Sequence, residues 1–279
     1  MRIVIIILLA CLAFSCTRFP KQKFYPPKQK LGQPYRFTDY TIREDSLIIH
    51  LKNPIHCSAR IGLRYDSVGL ASLIKDEFPI TLEPFEGDTL IKLLSQPPKD
   101  SSIWFTYLLG FQEEEVAVKP LNWPFIKGKT YEIIQPYNGE VSHQSIFSKC
   151  ALDFYMAAGD TICAVADGFV IGVIDGYKHG GFSPEWKGFA NFVTLYHADI
   201  NLFSHYLHIP FEGSFVEVGD TVAAGEPIAL VGQTGFAGIP HLHFNTYRAT
   251  AEGYESIPVE FENGVLGKNL KMWDKVSRN

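Results

Sequence analysis

Gly235-Phe236-Ala237-Gly238-Ile239-Pro240-His241-Leu242-His243-Phe244-Asn245-Thr246-Tyr247 is the stretch on which the reading of this chain turns. Leu242 to Tyr247 reads as a strand, and on a strand residues two apart share a face. His241 and His243 therefore point one way, and Leu242 and Phe244 point into a core. Two imidazoles on one face suit a metal ligand beside a catalytic base. Alone, a His-x-His pair is weak evidence, because lone histidines are more often satisfied core or surface residues.

The surrounding sequence adds weight. Seven of the nine histidines lie between residues 143 and 243. Ala151-Leu152-Asp153-Phe154 is an apolar run holding one carboxylate. Such a group is costly unless paired or metal-bound; its bland reading is a solvent-facing Asp on an edge strand. Ser142-His143 stands upstream, after the Tyr137-Asn138-Gly139 turn, and Tyr206-Leu207-His208 ends an alternating run. Phe215 to Gly232 reads as tightly turned hairpins around Val218-Gly219-Asp220-Thr221-Val222.

Taken in order, Asp153-Phe154, Gly159 to Val170, Tyr-x-His, Val-Gly-Asp-x-Val-x-x-Gly, Gly-x-Thr-Gly and His-Leu-His-Phe resemble the lysostaphin-like, or LytM-type, zinc metalloendopeptidases. These enzymes cut peptide cross-links in bacterial cell walls. The resemblance spans roughly residues 137–250. It implies an antiparallel β domain with a duplicated hybrid motif and a groove over its sheet. It also implies Zn2+ held by a histidine, an aspartate and the second histidine of His-x-His. By motif, Asp153 and His243 match the last two ligands. His208 and His241 match the catalytic pair, and the partner implied is a peptidoglycan peptide stem.

One departure stands out. The family pattern is His-x-x-x-Asp, and four residues before Asp153 stands Lys149, whose ammonium has no lone pair for a metal. The nearest upstream histidine is His143, and some lysostaphin-like sequences carry Ser-His with a longer loop before the Asp. His143 is therefore expected as the first ligand. The alternative is a catalytically inactive relative that binds the wall or activates other hydrolases. The lysine at 149 favours it; retention of Asp153, His208, His241 and His243 counts against it. No His-Glu-x-x-His or Gly-x-Ser-x-Gly pattern is present, which excludes thermolysin-like and elbow-type serine hydrolase arrangements. The Val-Gly-Asp hairpin also resembles biotinyl and lipoyl carriers, but no lysine sits beside it. His197 is expected to be structural, and His179 and His205 to be exposed.

The rest of the chain frames this region. Its 279 residues are 46% hydrophobic and 20% charged, with a net charge of −5, which excludes a disordered chain and disfavours a nucleic-acid binder. Ile3 to Phe14 is an apolar run after Arg2, too short to span a bilayer and suited to a secretory leader. It ends at Ser15-Cys16, which resembles a bacterial lipoprotein signal. Residues 1–16 are thus expected to be a leader, with lipid on Cys16 anchoring the protein to the membrane, in the cell envelope and facing the periplasm from the outer membrane. The Pro- and Lys-rich stretch 17–34 reads as a tether. The expected fold class is mainly β: a β-sandwich-like antiparallel domain at 35–120, a connector at 121–136, the lysostaphin-like domain at 137–250 and an extension at 251–279. Strands are expected at 46–51, 59–65, 89–94 and 103–109, with no chemistry in that first domain. Of the three further cysteines, Cys57, Cys150 and Cys163, no pair forms CxxC, and inert thiols are the expectation.

Overall fold

The computed structural model describes residues 31–32, 38–43, 45–65, 74–93, 103–110, 115–117 and 119–279. The expected leader and Cys16 lie outside these residues. The strands in chain order are β1 (Leu31–Gly32), β2 (Asp39–Ile42), β3 (Ser46–Lys52), β4 (Ala59–Tyr65), β5 (Ile80–Leu82), β6 (Gly87–Leu93) and β7 (Ile103–Leu109). They continue with β8 (Lys129–Gln135), β9 (Leu152–Tyr155), β10 (Thr161–Cys163), β11 (Gly168–Ile174), β12 (Asn191–His197), β13 (Leu202–Ile209), β14 (Thr221–Val222) and β15 (Pro227–Leu230). The last are β16 (Leu242–Thr250), β17 (Gly253–Ser256), β18 (Glu260–Phe261), β19 (Val265–Leu266) and β20 (Lys275–Arg278).

The fold is mainly β and antiparallel. In the N-terminal part, β2-β3-β6 and β5-β4-β7 form two three-stranded sheets. Leu47, Ile49, Leu51, Ile61, Leu82 and Ile103 are buried in one cluster between them. The alternation of β3 produces this: Leu47, Ile49 and Leu51 are buried while His50 and Lys52 are exposed. The four strands expected here lie where the sequence put them, within two residues.

The C-terminal part is built on one large sheet, ordered β1-β11-β12-β13-β16-β9-β8-β20, with β14 on β11 and β17 on β16. One face of it is core: Ile133, Leu152, Phe154, Leu195, Tyr206, Leu242 and Phe244 pack with Trp123, Phe125 and Phe261. Three expectations are corrected here. The supposed connector carries β8, whose apolar Ile133 gives the sheet a core-facing strand beside β9. The supposed extension returns β20 to pair with β8. Leu31 and Gly32, placed in the tether, pair with Ile174 and Val173, because the edge of β11 offers unpaired backbone groups.

The opposite face of the sheet is divided in two. Toward one end, Ile171, Tyr196, Phe203, Tyr247 and Ala249 pack against Ile55, Cys57, Ala59 and Leu109 of the N-terminal part. The chain approaches so closely there that a Cβ at Gly110, whose φ is +91°, would lie 2.7 Å from the Phe203 ring. The Tyr254 hydroxyl accepts a 2.7 Å bond from the Leu109 amide. Toward the other end this face carries the histidines.

His197 is structural, as expected. It is buried at the end of β12, with Nδ1 2.8 Å from the Asp167 carbonyl and Nε2 2.7 Å from Ser204 Oγ. Burial pulls its pKa down from 6.5 to about 4. Below pH 6.5 the unfolded chain takes up a proton that the folded chain refuses, so stability falls with pH until about pH 4. This group accounts for about 3 kcal/mol across that window. Urea unfolding measured from pH 7 to 4 is expected to show the loss, and His197→Gln is expected to flatten that part of the slope. An unchanged slope in the variant contradicts the assignment.

Candidate metal centre

The site assembles on the free end of the groove face. Asp153 on β9 stands directly opposite His243 on β16 in the strand register. The two side chains meet on that face, Asp153 Oδ1 lying 2.8 Å from His243 Nδ1. Leu242 and Phe244, on the other face, are fully buried in the core, as strand alternation requires.

His143 comes from outside the sheet. It sits in the turn-rich segment between β8 and β9 and is completely buried. That segment is pinned from both sides. The Asn245 amide donates to the Phe147 carbonyl at 2.6 Å, the Ser256 amide to that of Ile146 at 2.8 Å, and Ser148 Oγ to that of Ser142 at 2.9 Å. Pinned so, it delivers His143 Nε2 to 3.2 Å from Asp153 Oδ1 and 3.2 Å from His243 Nδ1. Lys149, which occupies the usual ligand position, is engaged elsewhere: its ammonium pairs with Glu255 at 2.8 Å.

The donor set fits a divalent cation. His143 Nδ1 lies 2.9 Å from the Pro136 carbonyl, so a proton held there leaves a bare lone pair on Nε2. That lone pair faces both a carboxylate oxygen and another imidazole nitrogen, a repulsive arrangement unless something positive lies between them. A tetrahedral ion with bonds of about 2.0–2.1 Å sets its donor atoms about 3.3 Å apart; the three separations here are 2.8, 3.2 and 3.2 Å. Burial pushes the Asp153 carboxyl up, but the neighbouring His243 and His143 rings outweigh it and hold the group well below the usual carboxylate range. Burial lowers His243, with Asp153 opposing. Both shifts favour the deprotonated forms that bind metal.

His208 and His241 flank the cluster, with ring centroids 4.5 Å apart. His208 Nδ1 lies 2.7 Å from the Thr234 carbonyl and His241 Nδ1 2.9 Å from that of Ile239. Each ring thus has its Nε2 free, and that of His241 lies 3.9 Å from Asp153 Oδ2. Simple alternation would put His208 on the core face with Tyr206. It does not go there, because β12 and β13 slip register between Ile209 and Leu207, and His208 adopts φ +67°. This extra residue turns the ring toward the groove. Burial, with the His241 and His243 rings, presses its pKa down to about 3.

A cavity of about 440 Å³ opens beside the cluster, lined by Ile134, Val141, Phe182, Phe236, Ile239, His208 and His241 among others. Phe182 stacks on Phe236 at 5.3 Å, which makes the 178–188 loop a wall of this cavity. His179 is exposed, as expected, whereas His205 is half-buried, held by a 2.7 Å contact with Thr194 Oγ1. The sequence reading missed Gln135 altogether. It is buried, and its Nε2 donates to Asp153 Oδ2 at 2.8 Å. A lone Gln before a proline carries no signal of such a role. Of the cysteines, Cys57 and Cys163 are buried, Cys150 is partly so, and all three are free thiols; burial pushes Cys57 up to about 12.

Residues 148–255 match the family model described as Peptidase family M23. This stretch of the chain is thus similar to peptidase family M23. The match begins five residues after His143. An uncharacterized metalloprotease of Buchnera aphidicola subsp. Baizongia pistaciae is 26% identical over 136 residues, which make up 46% of this chain and 31% of that protein. The chain thus spans about a third of that relative's length. Among solved structures, the catalytic domain of lysostaphin from Staphylococcus simulans is 28% identical, with 42% of this chain and 78% of that one covered and a TM-score of 0.31. A zinc-containing peptidase from Vibrio cholerae is 16% identical, covering 82% of this chain and 79% of that one, with a TM-score of 0.37.

Removing any one donor is expected to abolish tight metal binding. His143→Ala, Asp153→Ala and His243→Ala should each lose the metal on dialysis, measured by elemental analysis, while Lys149→Ala keeps it. Full retention in His143→Ala would remove that residue from the site.

Proposed function

We propose that this protein is a zinc-dependent endopeptidase that hydrolyses peptide cross-links of bacterial peptidoglycan. The observation that carries the reading is the convergence of His143 Nε2, Asp153 Oδ1 and His243 Nδ1 within 3.2 Å of one another, in a chain similar to peptidase family M23 over residues 148–255 and beside a groove. Two imidazoles and one carboxylate make a set that suits zinc and leaves a position open for solvent or substrate. When bound, zinc supplies a Lewis acid that polarises a carbonyl and brings the ionisation of water to about pH 7.

The remaining chemistry belongs to the chain. With Nδ1 of His208 and His241 committed to carbonyls, Nε2 of each is the atom that takes up or returns a proton. Burial, with the His241 and His243 rings, keeps His208 neutral at pH 7, and its Nε2 lone pair can accept a hydrogen bond from a water molecule and so orient it. A ring that has taken up a proton from water at Nε2 can then return that same proton to the leaving amine. The apolar walls, Phe182 and Phe236 with Ile239 and Val141, position an extended peptide and keep water away from it.

An inactive, wall-binding relative is the competing class. Its main support in the sequence was the lysine at position 149, and that lysine is paired with Glu255 while His143 supplies the donor. The leader-like residues before Cys16 support export and lipid anchoring, which would hold the groove near the wall.

His208→Ala and His241→Ala are expected to keep zinc and lower kcat about 10²–10⁴-fold on purified peptidoglycan or a cross-linked stem peptide. Full turnover in both variants would end the reading. Phe182→Ala and Phe236→Ala are expected to raise KM several-fold with kcat largely kept, measured on the same substrate.

A further inference from the structure

Gln135 is a polar side chain at the site that the proposed chemistry leaves unused. Its placement is deliberate in the physical sense. β8 and β9 slip register between Ile133 and Gln135, so that Gln135, and not Ile134, stands opposite Asp153. Such a bulge re-aims a side chain at the cost of local pairing. Its amide is then fully committed. Nε2 donates to Asp153 Oδ2 and to Ser142 Oγ, both at 2.8 Å, and Oε1 accepts from the Val141 amide at 3.1 Å.

These bonds reach two metal donors at once. The first occupies Oδ2 of the carboxylate whose Oδ1 faces His143 and His243. The other two hold Val141 and Ser142, the residues immediately before His143. The fit is close: a Cβ at Gly139 would lie 2.2 Å from Gln135 Cγ.

We infer that Gln135 is a positioning residue for the metal centre, which keeps Asp153 a one-oxygen ligand and ties its orientation to that of His143. The inference rests on the reading of His143, Asp153 and His243 as the metal site. Outer partners of this kind typically carry about 10–100-fold in metal affinity.

The informative variant is Gln135→Glu. It keeps the size and can still accept from the Val141 amide, and from the Ser142 hydroxyl once that hydroxyl turns to donate, but as a carboxylate it cannot donate to Asp153. Zinc affinity is measured by competition with a chelating dye, and metal-free folding by circular dichroism and Tm. The expected result is a folded metal-free protein, its Tm lowered by the second buried carboxyl, that binds zinc about 10–100-fold more weakly. Cobalt placed in the site should show a changed visible spectrum, reporting altered carboxylate coordination. Gly139→Ala, which displaces Gln135 without touching a donor, should weaken zinc in the same direction. Zinc affinity within about twofold of wild type, or tighter, in a folded Gln135→Glu protein overturns the inference while leaving the metal site standing. Failure of the wild type to bind zinc overturns the metal reading and this inference with it. Should both variants fail to fold, a zinc-loaded wild-type crystal structure decides: Asp153 bound through Oδ1 alone, with Oδ2 on Gln135, supports it, and a two-oxygen carboxylate overturns it.

Discussion

The buried carboxylate of Asp153 is the constraint around which the site is arranged. An ionised group with almost no access to water costs several kcal/mol unless its charge is answered locally. Here His143 and His243 answer Oδ1 and Gln135 answers Oδ2. Each of these partners is held by something else: His143 by the Pro136 carbonyl, Gln135 by Val141 and Ser142, His243 by its strand. Two imidazoles and a carboxylate this close satisfy one another only partially by sharing protons. A divalent cation satisfies all three at once, and for that reason the arrangement reads as a metal centre and not as a structural ion pair.

Two irregularities in otherwise regular strands make the arrangement possible. At His208 an extra residue with positive φ rotates a ring that alternation would have placed in the core. At Ile134 an extra residue moves Gln135 opposite Asp153. Regular strands supply the rigid frame, with His243 and Asp153 in direct register, and the bulges supply the residues that a strict period of two cannot place. Backbone strain at His208 is held by the sheet on either side, in keeping with the concentration of unusual backbone angles at functional sites.

One face of the sheet serves two purposes. Its free end carries the histidines and the apolar groove, and its other end is covered by the N-terminal strands through Phe203, Tyr247 and Ala249. The segment from Pro136 to Cys150 lies between them, with Phe147 packed on Tyr247 at 4.9 Å. The groove is therefore bounded on that side by protein, and its open walls are Val141, Ile239, Phe182 and Phe236.

The sequence by itself determined the β class, four N-terminal strands, the shared face of His241 and His243, the odd carboxylate in an apolar strand and the kinship of the region. All of these are local: they follow from alternation, from the cost of a charge among apolar neighbours, and from motifs read in order. Only the tertiary structure decided that β8 and β20 belong to the main sheet, because pairing between strands 140 residues or so apart leaves no local trace. It also decided that His143 reaches the site while Lys149 turns to Glu255, since a loop's path is set by its distant anchors, Asn245 and Ser256. Gln135 was invisible for the same reason: its role exists only where a one-residue slip brings it against Asp153, and a register slip is a property of two strands, not of one.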